Sequence, residues 1–183
     1  MFEGPASYTL RIEILDSDPP IWRRLCVDAR ASVNQLHWIL ASVMGWTGQA
    51  DFRLRVPRRA GTVALTVDGA DPEAQRLTLK DLVTAPGDAF SYTYSLRQGW
   101  IHTVVLEASE NSQTDLQLPY CLAGERAGPP EFCVGIWGYE ELLDQLSDPD
   151  DPQSDELWDR VGYDFDPEWF AIEAVNRRLR EIC

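Results

Sequence analysis

Residues 8–15, YTLRIEIL, place an apolar side chain at every second position over most of their length. A period of two fits an extended strand with one buried face and one wet face, because successive side chains of a strand point to opposite sides. Asp16, Ser17, Asp18, Pro19 and Pro20 follow. This is turn chemistry, since two prolines cannot donate to a ladder. Residues 21–27, IWRRLCV, then read as the returning strand of a hairpin. After the hairpin the period changes. Leu36, Ile39, Leu40 and Val43 share one helical face, Ser32 suits the N-cap, and Gly45 suits the stop, which predicts a helix over 33–44.

Short strand patterns recur at 51–56, 62–67, 90–96 and 101–108, with a turn at 69–75 and a short helical or looped LTLKDLV at 77–83. Hairpin, helix, strand, short turn and strand in this order resemble the ubiquitin-like β-grasp plan. The expected class is therefore α+β: a mixed β-sheet with a helix packed across one face, β-grasp-like, plus a C-terminal helical extension. Beyond residue 107 the chain is more polar. Residues 138–146 suggest a short amphipathic helix, and 147–156, SDPDDPQSDE, an exposed acidic loop. Asp166 and Pro167 suit the start of a last helix, with Phe170, Ala174 and Leu179 inward and Arg177, Arg178 and Arg180 near its C-terminus. The organisation expected is a single domain over 1–183, in which an acidic loop-and-helix part, 111–183, packs on a sheet-and-helix part, 1–110.

The net charge of −14 is unevenly placed. Residues 1–110 carry 11 basic and 13 acidic side chains, and residues 111–183 carry 5 and 17. Such a surface repels phosphate backbones, so nucleic acid is not the expected partner, and the acidic excess reads most simply as solubility. No apolar run approaches the roughly 20 residues that cross a bilayer. The start of the chain has neither a basic segment nor a cleavable apolar one, so a cytoplasmic protein with no membrane partner is expected. The cysteines at 26, 121, 133 and 183 form no CxxC pair and read as free thiols.

Residues 120–143, YCLAGERAGPPEFCVGIWGYEELL, concentrate glycine, proline and aromatic residues ahead of a helix. Gly124, Gly128, Gly135 and Gly138 allow close backbone approach, while Pro129 and Pro130 stiffen the loop, so little entropy is lost on binding. Trp137 and Tyr139 are of the types that anchor interfaces. A binding surface is therefore expected from Trp100, His102, Tyr120, Pro129, Pro130, Glu131, Trp137 and Tyr139. The competing reading is that this loop plugs the end of the sheet, and the tryptophans at 22, 46, 100 and 137 are equally good core filler.

No catalytic constellation accompanies the segment. His37, His102, Cys121 and Cys133 are the one combination that could make a His₂Cys₂ zinc site, but Cys-x11-Cys is unlike zinc-finger spacing and His37 sits beside the apolar helix face, so no metal and no cofactor are expected. Cys133 with His102 as base is the remaining nucleophile pair, and nothing in the sequence brings the two together. Glu140, Glu141 and the acids at 148–151 read as solvated carboxylates. Arg53, Arg55, Arg58 and Arg59 form the one basic cluster. It is either a phosphate patch or, the better reading, a set of salt bridges to the acidic C-terminal part.

Five separated segments together carry a family resemblance: LRIEILDSDPPIWRRLCV; LHWILASVMGW, with His37 and Trp46; the Tyr92/Tyr94 strand followed by Trp100 and His102; the 120–143 segment; and FDPEWFAIEAVNRRL. In this order they resemble the plasmid pRiA4b ORF-three-like family from residue 8 to about 179. That family is largely uncharacterised, so the resemblance implies a fold more than an activity. Three departures stand out. Residues 47–52 lack the histidine pair that family members often carry after Gly-Trp. Residues 94–98 read Tyr-Ser-Leu-Arg-Gln where the family tends to Tyr-Asp-Phe-Gly-Asp. Phe132 replaces the acid of Pro-Pro-Glu-Asp. The function expected is a non-catalytic protein-interaction or ligand-binding module with a protein or small-molecule partner. One alternative is a metal- or thiol-dependent enzyme using Cys121, Cys133 and His102. A second, suggested by the family's plasmid association, is a nucleic-acid-associated protein of a mobile element.

Overall fold

The computed structural model describes residues 7–57, 65–110 and 116–182. Strands β1 (Ser7–Ile14) and β2 (Trp22–Asp28) form the predicted hairpin, with Leu10 opposite Leu25 and Tyr8 opposite Val27. Ser17 closes its turn: the hydroxyl donates to the Ile14 carbonyl at 2.8 Å and accepts from the Ile21 N–H at 3.0 Å. Helix α1 (Val33–Met44) follows, with Ser32 and Gln35 capping each other's backbone and Gly45 ending it at φ 87°. Only a residue without a Cβ takes that left-handed conformation at no cost.

Strands β3 (Phe52–Val56), β4 (Leu65–Asp68), β5 (Ala89–Tyr94), β6 (Trp100–Glu110) and β7 (Tyr120–Glu125) complete a seven-stranded sheet in the order β4-β3-β5-β6-β1-β2-β7. A one-turn helix, α2 (Leu79–Leu82), precedes β5. Helices α3 (Gly135–Ser147), α4 (Ser154–Val161) and α5 (Ile172–Glu181) follow β7. No helix of the described residues is long and apolar enough to cross a membrane.

The inner face of the sheet carries Leu10, Ile12, Leu25, Val27, Leu54, Tyr92, Val104 and Leu106, all buried. Leu36, Ile39, Leu40 and Val43 of α1 belong to the same buried cluster, so the helix packs by the face its sequence predicts. The outer face remains wet and is laced by charge pairs. Arg24 meets Glu107 at 2.5 Å, Arg11 meets Glu13 at 2.7 Å, and the Trp22 ring lies 4.2 Å from the Arg11 guanidinium. One wet face and one packed face is what alternating strands in an antiparallel sheet produce.

Five expectations need correction. Every strand pairing among the described residues is antiparallel, so the sheet is not mixed. The β5–β6 hairpin reverses the chain once more before it reaches the middle of the sheet, and β6 therefore runs opposite to β1. Residues 111–183 are not only loops and helices, since β7 joins the sheet edge beside β2. The acidic stretch is partly helical: α4 begins at Ser154, with Asp155 and Glu156 in its first turn, where acids favour the helix dipole. The last helix begins at Ile172 instead of Pro167, because Asp166 closes a turn by accepting the Glu168 N–H at 2.9 Å. Finally, Arg53 pairs with its cross-strand neighbour Asp68 at 3.0 Å instead of with the acidic C-terminal part. Arg58, Arg59 and the start of the 62–67 strand lie outside the described residues.

Strand β7 pairs with β2 on one side only, which leaves its other backbone edge to be satisfied. Asn176 of α5 does this at Cys121. Its side chain accepts from the Cys121 N–H at 2.7 Å and donates to the Cys121 carbonyl at 3.0 Å, and both residues are buried. Asn176→Ala leaves a donor and an acceptor without partners, at a cost of about 2–3 kcal/mol. Urea denaturation is expected to show this loss, and hydrogen exchange at Cys121 to accelerate.

Candidate functional site

Strand alternation decides where the predicted site residues lie. Trp100 and His102 occupy the inward phase of β6 with Val104 and Leu106, and both are fully buried. Trp46, just past α1, joins them: its ring is 5.3 Å from Trp100, 5.4 Å from His102 and 4.8 Å from Tyr94, stacked on the last. Tyr139 and Pro129 are also buried, while Tyr120, Pro130 and Glu131 are half-buried. Trp137 alone of the eight stands in solvent, at 78 % exposed. The eight therefore do not converge on one surface. Trp100 and His102 lie in the core against Trp46, and it is Trp46 that reaches the 127–132 loop, while Trp137 is exposed.

That loop is held at several points. The Trp46 indole N–H donates to the Pro129 carbonyl at 2.8 Å. The Glu131 carboxylate accepts from the Thr47 N–H at 2.9 Å, from the Thr47 hydroxyl at 2.8 Å, and from the Tyr94 hydroxyl. Gly128 lies directly on the end of α1, where a Cβ would overlap the Met44 carbonyl oxygen. On the far side, the Ala127 N–H donates to the Pro167 carbonyl at 3.0 Å, and Arg126 pairs with Glu168 at 2.6 Å. The segment is a braced strap between the end of α1 and residues 165–171.

Beneath the strap is a cleft of about 500 Å³. Arg23 forms its floor and is 1 % exposed. The Arg23 Nε donates to the Val43 carbonyl at 3.1 Å, and Nη1 donates to the carbonyls of Trp22 and Glu125, each at 2.7 Å. Its guanidinium sits 4.1 Å from the Phe170 ring. Burial lowers its pKa to about 10, helped by the like charge of Arg178 and opposed by Cys121, so it remains a cation at neutral pH. Arg160 of α4, 3.7 Å from the Phe132 ring, and Arg178 of α5, beside Gly45, stand exposed on the rim. Trp169 and Phe165 complete the aromatic wall.

The sequence expectation reached the strap but missed the cleft's other walls: Arg23, Arg160, Phe165, Trp169 and Arg178. One signal was available. In 21–27 the inward phase is Ile21, Arg23, Leu25 and Val27, so a charged side chain stands where the pattern demands an apolar one.

The titratable groups considered for chemistry are withdrawn from solvent. Cys26, Cys121 and Cys133 are free and buried, and burial pushes the Cys121 and Cys133 thiols up to about 11. Burial takes His102 down to about 4 against the opposing pull of the Tyr92 and Trp100 carbonyls. His37 is lowered by burial as well. Its Nε2–H donates to the Gly48 carbonyl at 2.9 Å, so Nδ1 accepts from the Tyr92 hydroxyl at 2.8 Å. No group of three or more His, Cys, Asp or Glu among the described residues is placed to hold a metal ion.

Comparison with known proteins gives this arrangement a family. The profile of the plasmid pRiA4b ORF-3-like proteins matches residues 6–174, and the chain belongs to that family. It is 26% identical over 178 residues to the uncharacterised protein y4hQ of Sinorhizobium fredii, spanning 95% of this chain and 91% of that protein. It is also similar to the crystal structure of a protein of unknown function from Methanosarcina mazei Go1, with a TM-score of 0.83 and 28% identity over 93% of this chain and 98% of that one.

Two outcomes test this geometry. Gly128→Ala forces the strap off the end of α1, which is expected to cost about 1–3 kcal/mol as overpacking and to change Trp46 fluorescence. The buried imidazoles set a pH dependence. Their folded pKa values lie below the ordinary 6.5, so the unfolded chain binds more protons, and stability is full above about 6.5 and falls as pH drops toward 4. For His102 alone the loss is about 2 kcal/mol between pH 7 and pH 5. Urea midpoints across this range should show it, and His102→Asn, which keeps an N–H donor but takes up no proton, should flatten the slope.

Proposed function

We propose that this member of the pRiA4b ORF-3-like family is a non-catalytic ligand-binding module, and that its site is the cleft beneath the 127–132 strap. The observation that carries this reading is the strap itself. Pro129 and Pro130 stiffen it, Trp46, Thr47 and Tyr94 brace it, and it roofs a concavity of about 500 Å³. That volume falls within the range typical of small-molecule sites, and a preformed roof saves the ordering cost that flexible loops incur on binding.

The state of the thiols and imidazoles supports binding over thiol chemistry. A thiol pushed up to about 11 is almost wholly protonated at neutral pH, and the thiolate is the nucleophile. His102, taken down to about 4 in the core, is a poor general base for Cys133. The net charge of −14 weighs against a nucleic-acid partner. We read the hairpin, the helix crossing one sheet face and the return of β6 to lie beside β1 as an enlarged β-grasp-like plan. Three free cysteines among the described residues favour a cytoplasmic setting.

Titrating ¹⁵N-labelled protein with a small-molecule fragment library tests the site. Hits are expected to move the amides of Gly45, Gly128, Phe132 and Phe170 together. Hits that shift only amides remote from this cleft, or a library with no hits, would remove the proposal.

A further inference from the structure

We infer that the cleft takes an anionic ligand: a small organic carboxylate or phosphate ester with an aromatic or otherwise apolar body. The inference rests on the cleft being a ligand site and names what that site selects. Its first support is Arg23. A guanidinium buried to 1 % exposure is ordinarily paired with a carboxylate, because removing a charge from water is costly. Here it meets three backbone carbonyls, one of them in the last turn of α1, and the face of Phe170, and among the described residues it meets no carboxylate.

The rim adds to that charge. Among the described residues, the guanidinium groups of Arg160 and Arg178 make no hydrogen bond or ion pair that would hold them; Arg160 lies over Phe132, and Arg178 lies beside Gly45. Glu131 is the one carboxylate among the described residues that line the cleft, and its oxygens accept from Thr47 and Tyr94. Arg126, next to the strap, is compensated by Glu168. A concentration of cations in a chain of net charge −14 is a local construction and not a sample of the average surface. Phe132, Phe165, Trp169 and Phe170 supply the apolar half. A guanidinium presents a planar fork suited to carboxylate and phosphate oxygens, and a ligand's ring would find aromatic walls beside it.

The test uses two dyes of similar shape and different charge. 8-Anilino-1-naphthalenesulfonate is titrated into the intact protein by fluorescence, alongside the uncharged N-phenyl-1-naphthylamine. The sulfonate is expected to saturate one site at least about tenfold more tightly than the neutral amine, and Arg160→Gln and Arg178→Gln are each expected to weaken it by about tenfold with unchanged melting temperature. Both positions are exposed, and the melting temperature separates a loss of affinity from a loss of fold. Displacement by phenyl phosphate against displacement by benzoate then separates the phosphate from the carboxylate source. Equal affinity for the two dyes, or sulfonate affinity indifferent to both substitutions, overturns the anion inference while leaving a neutral-ligand cleft standing. Failure of both dyes to bind, together with an empty fragment titration, overturns the cleft itself.

Discussion

The last turn of an α-helix ends in carbonyls that have no partner within the helix, and α1 has no basic residue in that turn to serve them. Arg23 supplies the missing cation from the neighbouring strand. Its Nε reaches the Val43 carbonyl, and its Nη1 reaches the carbonyls of Trp22 on β2 and Glu125 at the end of β7. One side chain thus ties the helix C-terminus to the hairpin and to the sheet edge that the C-terminal half contributes. A cation there is also favoured by the helix dipole. The cleft exists because these three elements are held together at a point where their backbones leave room, and Gly128 lets the strap close over that room.

The fold subdivides by how local its causes are. The β1–β2 hairpin and α1 are legible in the sequence, because period, turn residues and caps all lie within a few positions of one another. β7 is not. Residues 120–125, YCLAGE, carry two small residues and no clean alternation, and the segment is a strand because β2 offers it an edge and Asn176 covers its far side. The antiparallel sense of the centre is equally non-local, since it depends on how many reversals precede β6. α4 was hidden by its own acidity: clustered acids look like a solvated loop unless their placement in a first helical turn is known.

For the site, the sequence reading found the strap and misjudged its neighbours. Trp100, His102 and Tyr139 have the residue types of a binding surface but occupy inward phases, and an aromatic ring gives no sign in sequence of which face it will take. Trp100 and His102 pack against Trp46 in the core. Trp46 stacks between Tyr94 and Trp100 and then offers its N–H to the strap, so the core's packing passes directly into the position of the loop. Arg23 is the opposite case. A charge on the buried phase of an otherwise regular strand is a visible conflict between local pattern and environment, and such conflicts gather where structure serves something besides stability.

Asn176 has a consequence for how this molecule meets copies of itself. An unprotected edge strand offers a ready template to any other extended chain, and β7 would present one beside a glycine-containing, weakly specified sequence. The amide of Asn176 occupies the N–H and C=O of Cys121 as a neighbouring strand would, so the sheet ends there as though one more residue of partner had already docked. Because α5 carries that amide and also packs against α1 and the sheet through Val175 and Leu179, the edge can open only if the helix lifts. At Cys121 this border is therefore closed by tertiary structure and not by surface charge. A chain still waiting for its last helix would expose the edge for as long as it waits.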